Sequence, residues 1–379
     1  MDNKKYLNTI LLIFMLVLAS IPAYGQIRYG LPGFGDVDIT YTSWKMTTGD
    51  TETTLHQLVF PMTGFVPLQD NLELHLFLAN ATHFADVGDE EFQLNGLGDL
   101  KLQLSKSFSN DQLLASIGLN LPTGKKSLDV EGEKIIYLLS NNYLDLPSRG
   151  MGEGFGFNVL LGGAQASGNL QYGGGIIYEY KGTYEPYESS GDYNPGDKFS
   201  INAGGDLVGK KTTFSADVIY SLFTNDKVDS DNKFKQSPQL ELRTGVVHKL
   251  GNTDINAGIS YIMRGDNDIY TDSSSQVILE TLKLFGDEFL LYGGAVYKMS
   301  ESFNLNPSLT YRSISANDES LAAYQLDNSS VVGVGISFNK TFQKKYGLKF
   351  GGKYFTGSAD GSEIDLTGLQ FTASLTANF

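Results

Sequence analysis

The chain has no cysteine. That excludes disulfide staples, thiolate metal sites and any thiol that could carry a lipid after processing. It is also short of positive charge: 28 Lys and Arg against 43 Asp and Glu leave a formal net charge of -15. Such an acidic balance argues against nucleic acid, which requires a basic footprint. Long apolar runs are missing as well. Outside Ile10 to Leu18, no stretch approaches the roughly 18 residues of a spanning helix, so a helical membrane protein is excluded.

What is present begins with an export signature. Lys4 and Lys5 precede the apolar run, and Ala19, Ser20, Pro22 and Ala23-Tyr24-Gly25 follow as a small-x-small cleavage site. The expectation is a signal peptide over residues 1–25, with a short periplasmic tail or small plug over 26–35. Glycine (43), tyrosine (21) and phenylalanine (23) are plentiful, as close strand packing and two aromatic girdles require.

The organising pattern is clearest in Asn95 to Lys126. Leu100, Leu102 and Leu104 alternate with Asp99, Lys101, Gln103 and Ser105; after Ser109-Asn110-Asp111, Leu113, Ala115, Ile117, Leu119 and Leu121 alternate with polar and small residues. Period two puts the leucines on one face and the polar groups on the other, and the turn cluster makes the pair a hairpin. Each arm is about the ten residues that a tilted strand needs to cross a bilayer. The same unit recurs along 26–379, with short turns alternating with longer polar loops. The expected fold is therefore all-β: a transmembrane antiparallel up-and-down β-barrel of about 16 strands (14 to 16), in the outer membrane of a Gram-negative cell. Gln276 to Phe285 is the one place where a weak further strand is expected. Between Gly124 and Met151, Ile135, Leu138 and Leu139 recur at helical spacing, which predicts a short helix in one outer loop, packed over or into the barrel mouth.

Motifs for chemistry are near misses. Gly204 to Lys210 resembles a phosphate loop, but Lys211 stands where Ser or Thr is needed. Asp229-Ser230-Asp231 and Asp266-Asn267-Asp268 have calcium-loop spacing without the glycine of the sixth position. No Gly-x-Ser-x-Gly elbow accompanies His56, His75, His83 or His248. Neither an enzyme, a cofactor nor a metal site is expected.

Candidate transport residues are of two kinds. Leu58, Phe60 and Phe77, with His75 on the lumen face and the Ile135, Leu138 and Leu139 helix, are expected to offer an apolar ligand surface near the mouth. Pro61 and Pro307 fall within strands, where a missing N–H breaks one ladder and can open the wall. Asp99, Lys101, Glu179, Lys181, Glu241 and Arg243 are candidate members of charged lumen rings.

Two resemblances complete the reading. Leu375-Thr376-Ala377-Asn378-Phe379, closing on Phe379, looks like the signal that outer-membrane barrels present to their insertion machinery. Gly96-Leu97-Gly98-Asp99-Leu100 with Leu121-Pro122-Thr123-Gly124 resembles the outer-membrane group of the MetA pathway of phenol degradation. More loosely, the chain resembles the long-chain fatty-acid and toluene channels, although Gln26 to Gly35 is much shorter than the plug of the fatty-acid channels. The resemblance implies passive uptake of small hydrophobic compounds, aromatic hydrocarbon or fatty-acid-like. The expected partners are outer-membrane lipid and lipopolysaccharide, the barrel insertion machinery and a small hydrophobic ligand, with no nucleic acid. A structural or partner-binding barrel and a water-filled general porin are the alternatives.

Overall fold

A computed structural model describes residues 32–125, 127–188, 190–273, 276–317, 325–343 and 345–379, with the side chains of 272–278 not described. The expected signal peptide and most of the 26–35 segment lie outside the described residues.

Strands follow one another up and down: β1 (Phe34–Thr48), β2 (Thr51–Gln69), β3 (Leu72–Val87), β4 (Glu90–Leu97), β5 (Leu100–Phe108) and β6 (Leu113–Leu121). A long loop carrying α1 (Val130–Leu139) leads to β7 (Gly156–Ser167) and β8 (Leu170–Lys181). After the two-residue β9 (Tyr193–Asn194) come β10 (Lys198–Val208), β11 (Thr212–Phe223), β12 (Asn225–Val228), β13 (Asp231–Lys235), β14 (Gln239–Leu250) and β15 (Thr253–Arg264). The remainder is β16 (Asn267–Ser273), β17 (Gln276–Leu282), β18 (Glu288–Ser300), β19 (Phe303–Ile314), β20 (Ser329–Phe342), β21 (Tyr346–Ala359) and β22 (Ile364–Asn378).

Seventeen of these segments form one antiparallel sheet, and β22 pairs back onto β1. Because β4 and β5 occupy one position beside β3, the closed barrel has sixteen strand positions. Closure removes the sheet edges that lipid could not satisfy. Seven connections, such as 70–71, 168–169 and 251–252, are turns of two to four residues at the end that holds Phe34 and Asn378. The opposite end carries the longer loops. There β9, β12, β13, β16 and β17 build a separate five-stranded sheet. The expected weak strand is thus real, as β17, but it stands in this outer sheet and not in the wall.

Cross-strand partners share a face, so the inside can be traced strand by strand. Lys353, Gln370, Thr42, Gln57, His83 and Leu94 are successive partners, and the long loop touches three of them. That row is therefore lumenal. Alternate residues such as Tyr41, Leu104, Ile117, Ile201, Val334, Phe350 and Phe371 point outward and are exposed, forming the belt that meets lipid. In the lower lumen many inward positions are small or polar, among them Gly118, Asn202, Gly204, Gly258, Ser308 and Thr372.

The wall is uneven in height. Most strands from β7 to β19 run 11 to 13 residues, about 28 Å when tilted by about 45° at roughly 3.3 Å per residue. By contrast β1, β2 and β3 run 15, 19 and 16 residues, and their outward faces turn polar beyond Tyr41, at Ser43, Lys45, Glu52 and Thr54. The molecule's apolar core lies inside this taller side. Trp44, Leu55, Val59, Ala81, Ala85, Leu94, Val331, Phe355 and Leu366 pack with Leu128, Ile135, Leu139, Leu144 and Met151 of the loop.

Candidate functional site

Residues 122–155 leave the wall at β6, run along the inner face and return at β7. Their helix begins where Asp129, in an extended conformation, accepts a hydrogen bond from Gly132 N at 2.8 Å. Glu131 and Glu133 occupy its first turn, the favourable end of the peptide dipole. Ile135 and Leu139, four residues apart, are fully buried, while Val130 and Tyr137 face solvent. The helix stops at Leu139, and Ser140 caps it.

The base of the loop is fastened by Asp99. From Phe77↔Lys101 to Asn80↔Leu97, β3 advances three residues and its partner four, so one extra residue is accommodated as a bulge at Gly98-Asp99. The bulge reverses the inward phase and aims Asp99 into the lumen. There the carboxylate, 6% exposed, accepts from Gly124 N at 2.9 Å, Asn120 Nδ2 at 2.9 Å and Glu153 N at 2.7 Å. Thr123 completes the clasp: its hydroxyl accepts from Leu100 N at 2.9 Å and donates to Gly98 O at 3.0 Å. The legs of the loop pass so closely that a Cβ on Gly124 would lie 2.0 Å from Met151 O. The two motifs that carry the family resemblance thus meet in space as one hydrogen-bonded unit. Asp99 is correspondingly not a solvated ring charge, as its alternation with leucine had suggested, but a buried anchor.

The far end of the loop crosses to the opposite wall. Gln57 and Ser148 bond reciprocally, Nε2 to the Ser148 carbonyl at 2.6 Å and Ser148 N to Oε1 at 3.1 Å. Lys353 Nζ donates to Asp145 Oδ2 at 2.9 Å, and Arg312 Nη1 to Asn142 O at 2.6 Å. Arg149 forks back onto Asn142 Oδ1 and Leu144 O. Burial pushes the Asp145 carboxyl up, but Lys353, Arg312 and Arg149 outweigh it and hold that carboxyl below its ordinary value.

Below the clasp lies a cavity of about 340 Å³ in the lumen wall. Phe77, Lys101, Asn120, Gly156 and Lys181 are successive cross-strand partners at one level. Glu179 stands one layer down, opposite Asn158. Glu153 and Phe155, on the returning leg of the loop, also line it. Burial lifts the neighbouring Tyr184 hydroxyl to about 12, with the Glu153 carboxylate adding to the shift.

The remaining candidates are distributed as follows. His75 and Phe77 are lumenal; His75 Nε2 lies 3.2 Å from Glu73. Leu58 and Phe60 do not join them: Leu58 pairs with the exposed Tyr41 while the adjacent Val59 pairs with buried Thr40, so both residues face outward. Ile135 and Leu139 are buried in the core, with Leu138 packed against it, so their apolar surface is already covered by the wall. Pro61 and Pro307 each interrupt one ladder over two residue pairs, beside β1 and β18, and the register resumes unchanged. Each keeps its partner on the other side, Ala79 and Ile336. Glu241 and Arg243 form a lumenal ion pair. Phe379 closes the chain, its N–H donating to Gly33 O at 2.8 Å. Gln57 is a residue that sequence reasoning missed; a lone glutamine in an apolar strand is its only signal.

No protein-family model matches the chain, and no curated protein matches it. Among solved structures it is similar to a TodX deltaS2S3 mutant monoaromatic hydrocarbon channel, at 11% identity over 92% of this chain and 91% of that one, TM-score 0.47. A Pseudomonas aeruginosa FadL homologue gives 8% identity over 92% and 90%, TM-score 0.45. The CymD monoaromatic hydrocarbon channel gives 12% over 92% and 89%, TM-score 0.44. The chain's own wall is closed, antiparallel and sixteen strands round, apolar outside, polar within and short-turned at one end; it is an outer-membrane β-barrel.

Proposed function

We propose that this barrel is a passive channel for small hydrophobic compounds, aromatic hydrocarbon or fatty-acid-like, with the cavity beneath the loop as its capture site. The observation that carries the reading is a hollow of about 340 Å³ walled by Phe77 and Phe155 inside a lumen, a volume suited to one small molecule. Capture there removes apolar surface from water at roughly 25 cal/mol per Å², and release follows the concentration gradient. Purified barrel in liposomes is the test, with radiolabelled aliphatic and aromatic probes. Entry is expected to exceed that into empty vesicles, and equal entry across the whole probe set would refute the reading.

A second reading is favoured by one observation, the glycine, serine, threonine and asparagine lining of the lower lumen. Such a bore holds water and suits a general porin. Steady conductance steps in planar bilayers, insensitive to apolar probes, would select it.

A further inference from the structure

The charges around the cavity say more about its occupant than its volume does. Lys101, Lys181, Glu153 and Glu179 all line it, and none of these four side chains makes a hydrogen bond or ion pair among the described residues. The two lysines stand at one level on strands separated by those of Asn120 and Gly156, roughly 14 Å apart along the wall at about 4.8 Å per strand spacing. Between them there is room. Gly156 brings no side chain, whereas the space over neighbouring Gly118 is taken by the Asn158 amide. Among the described residues, several other inward charges are matched, as in Arg243 with Glu241, Arg264 with Glu288 and Lys353 with Asp145. Around the cavity both signs are left open together.

A neutral hydrocarbon entering there takes water from four charges and returns nothing. A simple carboxylate answers the lysines and leaves the glutamates; a simple amine does the reverse. Only a ligand carrying both signs gains charge-assisted hydrogen bonds at each end, with its side chain against Phe77 and Phe155. Resting on the channel reading, but replacing the hydrocarbon or fatty acid as the preferred occupant of this cavity, the geometry points to a compact zwitterion with an apolar side chain, the class of a free aromatic α-amino acid. Lys101 and Lys181 hold its carboxylate and Glu153 and Glu179 its ammonium.

Four probes sharing one phenyl ring separate the possibilities in proteoliposomes of the full barrel: phenylalanine, 3-phenylpropionate, phenethylamine and 3-phenylpropanol. Phenylalanine is expected to enter about tenfold faster than the neutral alcohol, after subtraction of empty vesicles. The Lys101→Met/Lys181→Met pair should abolish its advantage over phenethylamine while leaving alcohol entry unchanged, and Glu153→Gln/Glu179→Gln its advantage over phenylpropionate. The wild-type series decides by itself, so a variant that fails to fold removes nothing. If the alcohol or either singly charged probe matches or outruns phenylalanine, the zwitterion assignment falls and the channel stands. If none of the four exceeds empty vesicles, the channel reading falls with it.

Discussion

Replacing Asp99 with alanine should release the loop without opening the wall. The carboxylate holds three donors at 2.7 to 2.9 Å, two of them backbone N–H groups at opposite ends of residues 124–153. Hydrogen bonds to a buried charge contribute about 1.5 to 3 kcal/mol each. Since the three share one carboxylate and water refills the space, a cost of about 3 kcal/mol is the reasonable expectation. At about 1.4 kcal/mol per decade this raises the released population roughly 100-fold. The barrel ladders are not affected, because the bulge is already without a regular pair at this position. Two observables follow. Trypsin should cut at Lys134 and Arg149 about two decades faster, as cleavage tracks the open population when closing is fast. Emission from the sole tryptophan, Trp44, fully buried and stacked on Phe355 at 5.0 Å, should shift to the red as the loop leaves. Asp99→Asn should be nearly as damaging, since its amide presents a donor to donors. Cleavage within twofold of the wild type in both variants would refute the clasp.

Gly124→Ala should reproduce the Asp99→Ala cleavage pattern, because its Cβ would meet Met151 O at 2.0 Å and part the legs. Leu139→Ala, at a fully buried position, should weaken loop docking by about 2 to 5 kcal/mol in hydrogen-exchange protection of α1; retained protection would show that the helix is not held by its core face. Asp129→Ala should cost about 1 kcal/mol, read from exchange at Gly132 N. Asp145 sets a pH dependence. Its carboxyl titrates below the ordinary 3.8, so the docked state gains stability that is fully present above that value and fades as pH falls through the lower, docked-state value. Loop cleavage should therefore rise only below about pH 4, measured with an acid protease, and Asp145→Asn should flatten the rise.

Much of the architecture was legible because a lipid-facing strand beside a wet lumen writes its period into the chain: Leu100 to Ser105 could be read directly. Loop lengths marked the two ends, and Ile135 to Leu139 announced a helix. The errors arose where that contrast fails. In β2 apolar residues occupy both faces around Leu58 and Phe60, and period two cannot tell which side is inside; only pairing with Tyr41 and Thr40 decides. Asp99 misled for a different reason. Two of its three partners are backbone N–H groups 25 and 54 residues along the chain, and backbone donors have no letter in the sequence. The cavity likewise depends on the closed ladder, which brings Lys101 and Lys181 to one level.

The taller side of the wall gives the molecule two solvents. Within the bilayer the barrel is patterned inside out, its apolar groups turned to lipid and its polar ones inward, so water has no part in driving its inner packing. Above the bilayer the collar of β1 to β3 reverses that order, with Ser43, Lys45 and Glu52 outside and Trp44, Leu55 and Ile135 within. The same continuous strands are therefore stabilised by lipid along one part of their length and by the hydrophobic effect along the other. Urea and cooling weaken only the second, so the collar and its loop should melt as a unit on top of a barrel that remains intact in the membrane.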